Sequence, residues 1–281
     1  MGNILELKDI SKEYEGFKLD NINITLPSGY IMGFIGENGA GKSTTIKVIL
    51  DLIHKDSGTV KILGKDSKEL KLVKEDIGVV MDESYLPETL NLKEVNLIMK
   101  NVYKKWDKEV FKSYIDRFNL PNNKTIKDYS RGMKMKLAIS IALSHDPKLL
   151  ILDEATSGLD PMVRDEILDV FLEFIRDEQH SIFISSHIIS DLEKVCDYIT
   201  LIHKGKIVFT EEKDNLLEKY GILKCSHSEF EKINKENVKG VRKNQFGVEA
   251  LVLKRKISGK YVIDPANIED IMLYHIKERV Q

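Results

Sequence analysis

Residues 36–44 read GENGAGKST, a G-x-x-x-x-G-K-[ST] pattern whose residue types suit the holding of phosphate. Gly36, Gly39 and Gly41 carry no Cβ, so backbone N–H groups in the loop can come close to phosphate oxygens. A helix opening directly after the loop adds unpaired N–H groups and the positive end of its dipole. Lys42 supplies a point charge for the outer two phosphates, and the Ser43 hydroxyl a ligand for Mg²⁺. With Asn38 and Thr44, these residues make up the expected nucleotide-binding loop. The bland alternative is a glycine turn beside a surface lysine. The surroundings favour the first reading: the apolar run 31–35 precedes the loop as a strand, and Ile46, Ile49 and Leu50 mark a helix after it.

A second constellation has the same logic. Residues 149–152 are four consecutive apolar residues, and Asp153 and Glu154 follow at once. Open α/β sheets place ligand chemistry at the carboxyl ends of buried strands. Beside a phosphate loop, Asp153 is expected in a metal shell and Glu154 is expected to polarise an attacking water.

Around these sites the chain alternates strand and helix. Residues 22–26 alternate apolar and polar and end in Pro27-Ser28-Gly29, a strand closed by a turn. Runs 59–63 and 77–81 read as further strands, as do 181–185 and 198–202. Pro161 suits the first position of a helix, and Asp160 suits its cap. Such alternation calls for a mostly parallel, buried sheet. Between residues 92 and 144 the period becomes helical, with Tyr103, Trp106, Val110, Phe111, Tyr114 and Phe118 expected on one packing stripe, and Leu137, Ile141 and Ala142 on another. This stretch reads as an inserted helical subdomain. Residues 248–253 read as a strand, and a helix from Asn267 presents Ile268, Ile271, Met272 and Ile276 as its apolar face.

The composition, 42% apolar and 31% charged with a net charge of −2, is that of a globular chain. No apolar run approaches the ~18 residues a membrane-crossing helix needs. The first residues, MGNILELKDI, lack a secretory signal, and Glu6 stands where N-myristoylation wants Ser or Thr. Cys196 and Cys225 have no disulfide or metal spacing, which fits a reducing compartment. From Lys219 onward basic residues outnumber acidic ones, a mild excess expected to form a solvated face, without direct nucleic-acid contact.

Upstream of the acidic strand comes Asp128-Tyr129-Ser130-Arg131-Gly132-Met133-Lys134, and downstream come Ser157-Gly158-Leu159-Asp160 and Ser185-Ser186-His187. In this order, over residues 4 to about 210, the chain resembles an ATP-binding cassette (ABC) nucleotide-binding subunit. The resemblance implies an α/β P-loop NTPase cassette over residues 1–214, with a mixed core sheet, an antiparallel β subdomain and a helical subdomain at about 83–146. A small α+β extension is expected over 215–281. The implied cofactors are ATP and Mg²⁺. By resemblance Tyr14 stacks on adenine, and Ser130 and Gly132 of the signature, usually LSGGQ, meet the γ-phosphate held by the opposite subunit. Glu154 is the catalytic carboxylate, Asp160 communicates across the dimer, and His187 touches the γ-phosphate as a switch.

The chain departs from the family pattern at several positions. Tyr129, Arg131 and Met133 replace Leu, Gly and Gln of the signature, a variant similar to single-cassette subunits of bacterial ABC-2-type exporters. Ala155 stands where Pro is usual, and Asp82 where Gln is expected. An acid at 82 can reach Mg²⁺ through water, but brings negative charge toward the γ-phosphate. The implied protein is a homodimer, or a pair with a paralogous cassette, that closes on ATP and powers a separate integral membrane permease. It would lie in the cytoplasm against the inner face of the membrane. The alternatives are a related ATPase acting on ribosomes or DNA, for which two cassettes or a long heptad insert would be expected, and a nucleotide-gated binder without turnover, against which Glu154 and His187 argue.

Overall fold

The computed structural model describes residues 2–66, 69, 71, 73–82 and 86–277. Strands and helices are numbered along the chain. The long hairpin Asn3–Tyr14 (β1) and Phe17–Pro27 (β2) is followed by Ile31–Ile35 (β3), helix Lys42–Ile49 (α1), then Ser57–Ile62 (β4), Lys65–Asp66 (β5) and Ile77–Val80 (β6). Three helices come next: Leu92–Val102 (α2), Lys108–Arg117 (α3) and Arg131–Leu143 (α4). The chain then alternates Leu149–Asp153 (β7), Pro161–Phe174 (α5), Ser181–Ser185 (β8), Ile189–Val195 (α6), Tyr198–His203 (β9) and Lys206–Glu212 (β10). The last part holds Lys213–Lys219 (α7), Tyr220–Cys225 (β11), His227–Phe230 (α8), Val238–Asn244 (β12), Gly247–Leu253 (β13), Val262–Pro265 (β14) and Ile268–Lys277 (α9).

Strands β6, β7, β8, β3 and β9 pair in parallel, and β10 joins β9 antiparallel, which makes a mixed six-stranded sheet in the order β10-β9-β3-β8-β7-β6. Every residue of β3, β7 and β8 is buried, because layers cover both faces of this sheet. Alternation sorts the side chains. Met32 and Phe34 point with Leu149, Ile151 and Phe183 toward the antiparallel sheet β2-β1-β4-β5, whereas Ile31, Ile35, Leu150, Leu152, Ile182 and Ile184 point toward the helices. Parallel strands that all run one way gather β3, β7 and β8 with their carboxyl ends together.

In the helical region the expected aromatic stripe is divided. Asn91 caps α2 through a capping box with Glu94, and α2 ends before Tyr103. The Asp107 carboxylate accepts from the Glu109 and Val110 amides and starts α3 afresh. Tyr103 and Trp106 therefore lie in the connection. Phe111 and Phe118 are buried, while Val110 is partly exposed. The helical period continues through the connection, so the pattern alone conceals the break.

The last part of the chain carries its own antiparallel sheet, β12-β13-β11-β14. One face joins the main core through Tyr220, Ile222, Leu251, Ile268, Ile271 and Tyr274; the other packs with Phe230 and Ile233. The predicted apolar face of α9 holds, with Met272 partly buried, and Tyr274 belongs to it as well. Gly240 lets α9 approach β12: a Cβ there would lie 2.5 Å from the Tyr274 carbonyl oxygen. Helix α6 is tied to this part. The Ile268 amide donates to Glu193 Oε1 at 2.5 Å, and Lys213 Nζ donates to the Glu193 carbonyl at 2.8 Å.

One buried histidine, His145, and one half-buried, His275, give the fold a pH dependence. His275 lies edge-on to Phe209 and Tyr220, and His145 stacks on Tyr103 at 4.0 Å. Burial pushes both below their ordinary value of 6.5. The unfolded chain then binds more protons than the folded one below about pH 6.5, so this stability is full above that value and is lost as pH falls through the lowered folded values. Urea midpoints should drop between pH 7.5 and 5.5, the two pH values being about one unit either side of the histidine range. The slope should flatten in a His275→Phe variant; an unchanged slope would remove His275 from this account.

Candidate functional site

The phosphate-loop residues hang between β3 and α1. At Gly36 an ideal Cβ would lie 2.5 Å from the Ile202 carbonyl oxygen, so the loop leaves β3 where only glycine fits. Gly39 and Gly41 have φ of 78° and 115°, which other residues adopt at a cost. Gly41 precedes α1 without a side-chain cap among the described residues, which leaves the helix opening free for an anion. Lys42 is buried and curls back over the loop: Nζ donates to the Gly36 carbonyl at 2.8 Å and the Glu37 carbonyl at 3.3 Å.

Glu154 comes to the same place from β7. Its φ of 54° is left-handed, a conformation that costs a non-glycine residue of the order of 1 kcal/mol. The strained turn is pinned by its amide, which donates to the Ser185 carbonyl at 3.1 Å and lies 3.2 Å from Ser185 Oγ. The carboxylate is aimed at the loop, with Oε1 3.6 Å from Lys42 Nζ. Oε2 is 2.6 Å from His187 Nδ1 and accepts from the His187 amide at 3.3 Å. Asp153 is buried one residue earlier, with Ser185 Oγ donating to its Oδ1 at 2.5 Å. One serine of β8 thus braces both Asp153, the last residue of β7, and Glu154 just beyond it.

These groups open on a cavity of about 720 Å³. Its walls include Asn38, Gly39, Gly41, Lys42, Ser43 and Thr44 of the loop, with Asp82, Glu154 and His187 facing them. Gly36 and Asp153 do not line it. Gly16, Phe17 and Ser157 complete the lining; of these only Ser157 belongs to a motif read in the sequence, the turn that ends in Asp160. The signal for Phe17 was available in the Tyr14-Glu15-Gly16-Phe17 turn, since the hairpin tip that carries one aromatic carries both. Tyr14 itself does not line the cavity; it is 45% exposed, with the Lys12 ammonium 5.4 Å from its ring centre.

Ser130, Gly132 and Asp160 also lie outside the cavity wall. Ser130 caps α4 by accepting from the Met133 amide at 3.2 Å, and Gly132 sits in the first turn against Val163. Asp160 caps α5, accepting from the Met162 and Val163 amides, both at 3.1 Å. Arg164 Nη2 donates to the Leu159 carbonyl at 3.2 Å while its Nε lies 3.6 Å from Asp191 Oδ2. Burial raises the Asp191 carboxyl above the usual range. The turn after Glu154 is thereby fixed to α6, the helix after His187.

Arg131, outside the predicted site, reaches across to it. Its Nη2 donates to Asp82 Oδ1 at 2.6 Å. The Ser43, Asp82 and Asp153 donors are all hard oxygens, and among the described residues no cluster of three or more His, Cys, Asp or Glu is arranged to hold a metal. Few protein oxygens beside a phosphate cradle fit Mg²⁺, which keeps waters and binds chiefly through substrate phosphates.

Comparison with known proteins agrees with this geometry. Residues 19–157 match the ABC transporter family. Along 99% of the chain, and 92% of the relative, it is 31% identical to YhcH of Bacillus subtilis, an uncharacterised ABC transporter ATP-binding protein. It is 36% identical to the bacitracin transport ATP-binding protein BcrA of Bacillus licheniformis, over 74% of this chain and 69% of that one. Identity to the lantibiotic transport ATP-binding protein SrtF of Streptococcus pyogenes is 35%, over 75% and 92%. Among solved structures, an ATP-binding subunit of an ABC transporter superposes with a TM-score of 0.67 at 26% identity, covering 76% of this chain and 91% of that one. The chain belongs to the ABC transporter ATP-binding family. Its activity is ATP hydrolysis, in the cassette fold with a C-terminal α+β addition.

Proposed function

We propose that two copies of this chain, or this chain and a paralogous cassette, close face to face on ATP and drive export through a separate membrane-spanning subunit. The observation that carries this reading is a cavity furnished with Lys42, Glu154 and His187 but without the signature residues Ser130 and Gly132 in its wall. A second subunit's signature would complete it. In that arrangement the loop amides, Lys42 and Thr44 hold the phosphates, and Glu154 takes a proton from the attacking water. His187, bonded to Glu154, orients that carboxylate and reaches the γ-phosphate. Mg²⁺ would neutralise charge on the outer phosphates when bound; Ser43 and Asp153 are the residues that would hold it, and Asp82, its carboxylate already paired with Arg131, would reach it only through water. Asp160 carries the contact from one site to the other. Adenine rests at the hairpin end, where Tyr14 and Phe17 are the aromatic choices. Greater loss of ATP affinity in Phe17→Ala than in Tyr14→Ala would assign that platform to Phe17.

The membrane partner is proposed to seat on an apolar groove of about 810 Å³ whose lining includes Leu52, Val79, Met81, Val102 and Tyr103. Leu52 and Val102 are 63% and 59% exposed there, and Met81 adjoins Asp82 of the nucleotide cavity. Of the loop expected at Asp82 to Pro87, residues 83–85 lie outside the described residues. No helix among the described residues is long and apolar enough to cross a membrane, so attachment would come from the partner. The names of BcrA and SrtF, which speak of bacitracin and lantibiotic transport, support a transport role; export as its direction is the expectation from the signature variant. Co-expression with the product of the adjoining reading frame tests the reading: the chain should move to the membrane fraction only with that product. Staying soluble beside a polytopic partner would remove the transporter role.

A further inference from the structure

Two departures from the family pattern, 49 residues apart, meet in the fold. Asp82 follows β6 on the core and lines the nucleotide cavity. Arg131 is the first residue of α4 in the helical insert, and its guanidinium holds the Asp82 carboxylate at 2.6 Å. A third segment makes room for it. Gly158, in the turn after Glu154, has φ 68°, and a Cβ there would lie 2.7 Å from Arg131 Nη1. Any larger residue at 158 would push the guanidinium off its place.

The charges give this contact a purpose. A carboxylate on the wall of a cavity built for polyphosphate opposes the ligand, most of all its outermost phosphate. A positive partner on that carboxylate cancels the repulsion without adding a second lysine to the loop. We propose that Arg131 is a positioning residue for the triphosphate: it neutralises Asp82 and holds it off the γ-phosphate, so that residues 82 and 131 act as one unit. This deepens the nucleotide reading above and rests on it.

The test is a double-mutant cycle on the full chain, with Arg131→Ala, Asp82→Asn and the two combined, measuring the affinity of each for ATP and for ADP in the presence of Mg²⁺. Arg131→Ala leaves the acid uncompensated and should weaken ATP by about 3–20-fold, within the usual range for interacting neighbours at a half-exposed pair. ADP, which lacks the γ-phosphate, should change by less than about 2-fold on the same coupling scale. In the Asp82→Asn background, removing Arg131 should cost ATP affinity little. A folding defect caused by Arg131→Ala would persist in the double variant and would weaken both nucleotides. An equal loss in both backgrounds, or an equal loss for ATP and ADP, overturns the proposal while leaving the cavity a nucleotide site. Failure of the unaltered chain to bind ATP overturns the nucleotide reading and this one with it.

Discussion

Glu154→Gln is expected to cut steady-state ATP turnover by about 10²–10⁴-fold, the range over which a positioned general base acts. The amide cannot take the proton, while the left-handed backbone and the Ser185 brace keep the side chain aimed at the loop. Binding should not suffer. The variant removes a negative charge 3.6 Å from Lys42, so the ammonium is freed for phosphate. ATP should then be trapped between two copies, and the chain should elute as a dimer on size-exclusion chromatography with ATP and Mg²⁺. A monomer at saturating nucleotide would count against the shared-site mechanism.

Lys42→Ala is expected to weaken ATP by about 10²-fold or more, the loss typical of truncating one partner of a buried charged pair. The ammonium bridges the Gly36 and Glu37 carbonyls and faces Glu154, so its removal also leaves that carboxylate uncompensated against incoming phosphate. Thermal unfolding reports this directly. The unaltered chain should gain about 2.7 kcal/mol from ATP at a hundred times its dissociation constant, whereas the variant should gain almost nothing at the same concentration. A full ATP-induced shift in Lys42→Ala would place the phosphates elsewhere.

Much of this was legible in residue order. The loop, the acidic strand and the cap at Asp160 are local signals, each carried by neighbours in sequence, and the structure sets them close to where those signals point. The apolar runs of β3 and β7, and the shorter one of β8 between Ser181 and Ser185, announced a sheet covered on both sides. What could not be read depended on contacts between distant segments. The break before Asp107 was hidden because helical spacing persisted across it. Phe17 entered the cavity wall through the hairpin's fold onto the loop, and Tyr274 joined the buried face of α9 because β12 offers Gly240 beneath it. The pairing of Arg131 with Asp82 required two separate departures from pattern to be brought together in space.

Helix α6 begins two residues beyond His187, and at its far end Glu193 receives the Ile268 amide of the C-terminal part. The segment that follows His187 and the C-terminal part of the chain are therefore joined through one short rod. A ligand that moved α6 by gripping the tail would move the histidine with it, and by reciprocity nucleotide loading would alter that ligand's affinity by the same factor. The tail would then be a second handle on the catalytic cycle, operable by a ligand that never enters the cavity.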